Sequence, residues 1–114
     1  MKFERFEDIL VWQKSKEVVS KIYRDFNEIS DKSFEHQIKR ASVSIMNNIA
    51  EGYERKTNNE FKHFLYISKG SAGEVRSMLY LALDLNYISR QKFDELFDNL
   101  IEISKMLSGL IKTL

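Results

Sequence analysis

The stretch His36 to Arg55 reads HQIKRASVSIMNNIAEGYER, and its reading decides the fold. Ile38, Ala41, Ile45, Ile49 and Gly52 recur at steps of three and four, which sets them on one narrow seam of an α-helix flanked by Ser42, Met46 and Tyr53. At about 100° per residue, Arg40, Ser44, Asn47, Asn48, Glu51 and Arg55 fall on a stripe opposite that seam. Ser and Asn are poor helix formers because their short side chains compete for backbone hydrogen bonds, and an ordinary solvated face uses Lys, Glu or Gln. Three readings of the stripe stand: a solvated face, a buried polar contact between helices or subunits, or a ligand surface.

Outward from this helix, predicted from about Ser33 to Glu54, the same periodicity gives three more. The first spans about Glu7 to Glu28, with Phe6, Leu10, Val18 or Val19, Ile22, Tyr23 and Phe26 as its apolar seam and Trp12 beside it. The third opens at Thr57-Asn58-Asn59-Glu60, a capping-box pattern, and reaches about Asn86. The fourth follows the N-cap residue Ser89, with Phe93, Leu96, Leu100, Ile103, Leu107, Leu110 and Leu114 at heptad-type steps, widened by Phe97, Ile101 and Ile111. The chain contains no proline. Helices of about 22 to 28 residues joined by short loops must run antiparallel, so the expected fold is all-α, an up-and-down four-helix bundle formed by residues 1–114 as a single domain.

Composition narrows the function classes. Among 114 residues, 43% are hydrophobic and 31% charged, a globular balance that supplies no membrane span. Glu4, Glu7 and Asp8 interrupt the N-terminus where an export signal needs an apolar core, so the cytoplasm is the expected location. With no cysteine, disulfides, thiolate metal sites and cysteine nucleophiles are excluded together. The net charge of +1 includes no basic arm, which leaves room only for a local cationic patch.

Candidate chemistry is sparse. Glu60-Phe61-Lys62-His63 has the Glu-x-x-His spacing of di-iron bundles, yet the only other histidine, His36, has Ser33 at the matching position, so no metal or other cofactor is expected. Glu51 and Glu74 are available as a carboxylate pair between the second and third helices, but neither nucleophile nor phosphate loop accompanies them. No catalytic residue is assigned, and a non-enzyme is expected. Gly70-Ser71-Ala72-Gly73 lies inside a helix, where two glycines cost about 2 kcal/mol and imply close approach of another helix, in this chain or a neighbouring copy. Tyr53, Tyr66, Tyr80 and Tyr87 are candidate stacking surfaces, with Arg40, Arg55, Lys56, Lys62 and Lys69 as phosphate contacts.

Several motifs also resemble a known family. These are Phe6-x-Asp8-Ile9-x-Val11-Trp12-Gln13-Lys14, the run Gln37-Ile38-Lys39-Arg40-Ala41-Ser42-Val43-Ser44-Ile45-x-x-Asn48-Ile49-Ala50-Glu51-Gly52, then Phe61-x-x-Phe64-Leu65 and Gly70-Ser71-x-x-Glu74. Together they resemble the four-helix bundle proteins encoded in intervening sequences of bacterial 23S ribosomal RNA genes, sometimes labelled S23 ribosomal proteins. That resemblance implies a left-turning bundle assembled as a homopentamer, with no known enzymatic activity. It also points to the related accessory variability determinant of diversity-generating retroelements, which binds nucleic acid and a reverse transcriptase. At the matching positions, only Lys39, Arg40, Arg55 and Lys56 concentrate charge. Ile29 to Ser33 replace the family's usual Phe-Pro link, and Met46 stands where proline is common. The partners expected are further copies of the chain, then RNA or DNA contacted by Lys39, Arg40, Arg55, Lys56, Lys62 and Lys69. The alternative is a scaffold that receives a protein partner. Ser44, Asn47, Asn48, Glu51 and Glu74 form the expected polar layer or interface.

Overall fold

The computed structural model describes residues 3–114. Four helices account for most of them: α1 (Leu10–Asp25), α2 (Lys32–Tyr53), α3 (Asn58–Asp84) and α4 (Arg90–Lys112), preceded by a 3-10 turn at Phe6–Asp8. No strand occurs among the described residues, in agreement with the all-α expectation.

Each boundary has a local cause. The Asp31 carboxylate accepts from the Phe34 amide at 3.1 Å, so α2 starts one residue earlier than the sequence pattern suggests. The Thr57 hydroxyl accepts from the Glu60 amide at 3.1 Å, the first half of the capping box. The other half differs from the expectation, because the Thr57 hydroxyl meets the Glu60 carboxylate at 3.3 Å and the Glu60 side chain does not reach the Thr57 backbone. Ser89 caps α4 through the Lys92 amide at 3.2 Å. Glu28 (φ 65°) and Asn86 (φ 61°) take left-handed backbone and turn the chain away after α1 and α3.

The first helix needs correction. It begins at Leu10 because Ile9 is extended, and it ends at Asp25 because the chain turns through Glu28. Its buried seam is Val11, Ser15, Val18 and Ile22, while Leu10 and Tyr23 are 65% and 46% exposed. Ser15 sits in the seam because its hydroxyl donates to the Val11 carbonyl at 2.6 Å. In α2 every seam residue that periodicity selects is buried, Ile38, Ala41, Ile45, Ile49 and Gly52, and in α4 Phe93, Leu96, Leu100, Ile103 and Leu107 join the same cluster while Leu110 and Leu114 are only partly buried.

Neighbouring helices are antiparallel. Lys14 pairs with Glu102 at 2.9 Å and Lys21 bonds Asn99 at 3.0 Å, so α4 descends as α1 climbs. At one end, Asp31 also accepts from the Tyr87 hydroxyl at 2.8 Å and ties the α1–α2 loop to the α3–α4 loop. At the other end, the Tyr53 hydroxyl donates to the Phe3 carbonyl and holds the N-terminal segment on α2.

At Gly52 α3 packs directly against the α2 backbone. A Cβ there would lie 2.7 Å from the Phe64 Cβ and 3.2 Å from the Phe61 carbonyl oxygen. Gly70 is different: a Cβ would meet nothing within 4 Å, and at Gly73 only the Arg76 guanidinium at 3.9 Å. Close approach of a helix from this chain therefore does not explain those two glycines, which corrects half of the sequence-based expectation. Gly52→Ala is expected to destabilise the fold by about 1 to 3 kcal/mol, because the obstacle is backbone and a Cβ. Gly70→Ala should stabilise a monomeric bundle by up to about 1 kcal/mol through helix propensity. Thermal melts of both variants test this, and equal effects would contradict the contrast.

Candidate functional site

The polar residues of α2 divide between two environments. Ser44 and Ser71 hydroxyls lie 2.9 Å apart across the α2–α3 seam, and the Asn48 amide donates to the Ser44 carbonyl at 2.8 Å and to its hydroxyl at 2.9 Å. One turn inward, the buried Ser68 hydroxyl donates to the Ile45 carbonyl at 2.7 Å. These short side chains let the two backbones come close while every hydroxyl finds an acceptor or donor. Asn47 and Glu51 face outward, and Glu51 pairs with Arg55 at 2.8 Å. Glu74 lines an open groove of about 490 Å³ with Ser33, His36, Gln37 and Arg40. With Ser44 opposite Ser71 and Gly52 opposite Phe64, the antiparallel register puts Glu51 and Glu74 at different heights of the helix pair, and no carboxylate pair forms.

The nominated cations are scattered. Lys39 lies on the α1 side, 2.6 Å from Glu35 and over the Tyr23 ring at 4.8 Å. Arg55 is engaged with Glu51 and with the Phe64 ring at 4.8 Å, near exposed Lys56 in the α2–α3 loop. Lys62 and Lys69 share a different flank of α3. Tyr80, on the same flank, packs against Phe93 and Phe97 of α4 at 5.4 and 5.3 Å, so this flank faces α4. Of the tyrosines, Tyr87 is bound to Asp31 and Tyr53 to Phe3, whereas Tyr66 and Tyr80 are more than half exposed. Sequence reasoning overlooked Arg76. It continues the seven-residue spacing of Lys62 and Lys69, a signal that was present, and its buried Nη1 has no hydrogen-bond partner. The outer face of α3 also exposes Ile67, Leu81 and Leu85.

This geometry can be set beside known proteins. A family-level comparison matches residues 7–109 to the 23S rRNA-intervening sequence protein family. The chain belongs to that family. A crystal structure from Bacteroides thetaiotaomicron, of a protein with unknown function from the S23 ribosomal protein family, is similar at 27% identity with a TM-score of 0.83. The similarity covers 90% of this chain and 96% of the Bacteroides protein. Among curated proteins, none matches.

In this member of the intervening-sequence family, no cluster of three or more metal-ligating side chains occurs among the described residues. None of its described helices is long and apolar enough to cross a membrane. Inside the fold, Glu35 is buried and held between Lys39 at 2.6 Å and Lys32 at 3.1 Å. Hydrogen bonds from Lys39 and then Lys32 hold its carboxyl below the usual range. Because the folded value is depressed, this contribution to stability is complete above the unfolded pKa of about 4.3 and is lost as pH falls through the folded value. Melting temperature is therefore expected to drop more steeply between about pH 5 and pH 3 in the unaltered protein than in Glu35→Gln. Parallel acid limbs in thermal melts would exclude this pair as a contributor.

The seam makes a second expectation. Asn48→Ala removes two hydrogen bonds to Ser44, which keeps its bond to Ser71, and should cost about 1 kcal/mol in thermal or denaturant unfolding. Asn47→Ala, one position away but exposed, should change stability by less than about 0.5 kcal/mol.

Proposed function

We propose that this protein is a non-catalytic binding protein: it self-associates, as a homopentamer, and holds RNA or DNA against the assembly. The observation that carries the nucleic-acid reading is the row Lys62, Lys69 and Arg76 on one flank of α3. Among the described residues, none of the three has a carboxylate within 4.0 Å. Cations left unneutralised on one flank, in a chain of net charge +1, form the local patch that phosphate binding requires. Arg40 and Lys56 are also free of carboxylates but sit elsewhere, and Lys39 and Arg55 are already paired.

Self-association is supported by the outer face of α3, where Ile67, Leu81 and Leu85 are 39%, 47% and 46% exposed beside Gly70, whose missing side chain leaves room for a close neighbour. The same apolar face favours the second reading, a scaffold that receives a protein partner and touches no nucleic acid. The readings separate in one titration. Fluorescence anisotropy with labelled structured RNA and duplex DNA should show binding that weakens with salt, and Lys62→Ala/Lys69→Ala should lower the salt slope by about 2. Absence of binding at low salt would leave the scaffold. Native mass spectrometry of the same preparation reads the copy number, and a monomer at working concentration would remove the assembly from the proposal.

A further inference from the structure

Resting on the nucleic-acid reading above, we infer that the α3–α4 flank takes a single-stranded segment, with its sugar-phosphate backbone on a cationic row and its bases turned onto Tyr66 and Tyr80. Two parallel rows on α3 carry the inference. Lys62, Lys69 and Arg76 are seven residues apart, about 10.5 Å along the helix, and four residues beyond each stands Tyr66, Gly73 or Tyr80. Each tyrosine thus adjoins a cation, and the glycine leaves a notch midway between them.

The two rings are suited to stacking. Tyr66 is 56% exposed and Tyr80 55%, and neither hydroxyl makes a hydrogen bond within the described residues. Tyr80 is braced on its α4 side by Phe93 and Phe97, which fixes the ring while leaving the rest of it open. In the notch, nothing approaches the Gly73 Cβ position except the Arg76 guanidinium at 3.9 Å, and the Arg76 Nη1 is buried without an acceptor. A phosphate oxygen entering beside Gly73 meets the Nη2 edge of this guanidinium, a charge-assisted donor.

Across the groove, α4 adds Lys105 and Lys112, again seven residues apart and within about 80° of Phe97 around the helix. Neither has a carboxylate within 4.0 Å among the described residues. Acids border this flank at the Tyr80 end only: Asp84, four residues beyond Tyr80 on α3, and on α4 Asp94, which is paired with Arg90, and Asp98, so positive charge is concentrated toward Lys62 and Lys112. The tyrosines are about 21 Å apart along the helix, so they engage bases well separated along the strand. Alternating cations and open aromatic rings are what an unpaired strand needs, because its bases are free to leave their neighbours and stack on protein. A duplex offers the same phosphates but keeps its base faces hidden.

The test uses anisotropy at low salt with three labelled probes of twelve nucleotides: an oligothymidine strand, an abasic strand and a duplex. The oligothymidine strand should bind tightest, with the abasic strand weaker by about fivefold or more. Tyr66→Ala and Tyr80→Ala should each weaken oligothymidine binding by about fivefold or more without changing abasic-strand binding, and Tyr80→Phe should restore it. Lys69→Ala/Lys105→Ala should weaken all three probes. Equal affinity for duplex and single strand, or tyrosine variants that bind as the unaltered protein does, would overturn the inference while leaving nucleic-acid binding in place. If no probe binds, both fall. Helical content measured on every variant separates lost contacts from lost fold.

Discussion

Everything in this bundle is arranged around the closeness of α2 and α3. Where most helix pairs are kept apart by large side chains, this one is drawn together by Gly52 against Phe64, by Ser44 against Ser71 and by Ser68 against the Ile45 carbonyl. Small residues permit the approach, and their hydroxyls find hydrogen-bond partners across it. The composition of the α2 stripe follows from that geometry. A Lys or Glu at Ser44 or Asn48 would push the backbones apart, whatever it gained in helix propensity.

The close α2–α3 pair leaves the remaining faces to different chemistry. Between α1 and α4 the surface is stitched by ions: Lys14 with Glu102, Lys21 with Glu95 and Asn99, Lys92 and Arg24 with the buried Asp25 carboxylate. Hydrogen bonding to Asp25, with its negative charge close by, pushes the Arg24 guanidinium further up from an already high pKa. The side chain of Asp31 joins the loops at one end and, through its hydrogen bond and charge, raises the Tyr87 phenol above its ordinary value. On the α3–α4 flank, by contrast, Lys62, Lys69 and Arg76 have no carboxylate within 4.0 Å among the described residues.

Much of this was legible because helical periodicity and capping are local. Thr57 and Ser89 announce their helices through the next turn of backbone, and the α4 seam repeats often enough to be unambiguous. The start of α1 was not legible, since Phe6, Leu10 and Tyr23 fit a helical period even though Ile9 breaks the helix and two of the three point outward. Among the candidate site residues, type could be read but neighbourhood could not. Lys39 and Lys62 look alike in sequence, and only the fold shows that one lies against Glu35 and Tyr23 while the other lies on the flank toward α4. Arg76 shows its seven-residue spacing in the sequence, but nothing local marks that one of its nitrogens is buried without a partner. The glycines of α3 misled for a related reason, as interior glycine reports the absence of a side chain and not the identity of what comes near.

A net charge of +1 gives little hint of how the charges are distributed. When acids are spent in pairs on one side and cations stand alone on another, a nearly neutral molecule acquires a dipole. Such a molecule has a preferred attitude in an external field: it turns before it touches, within about one Debye length of a charged body, roughly 10 Å at 0.1 M ionic strength. Orientation of that kind acts on the rate and direction of first encounter, and it persists at a pH where the total charge is zero.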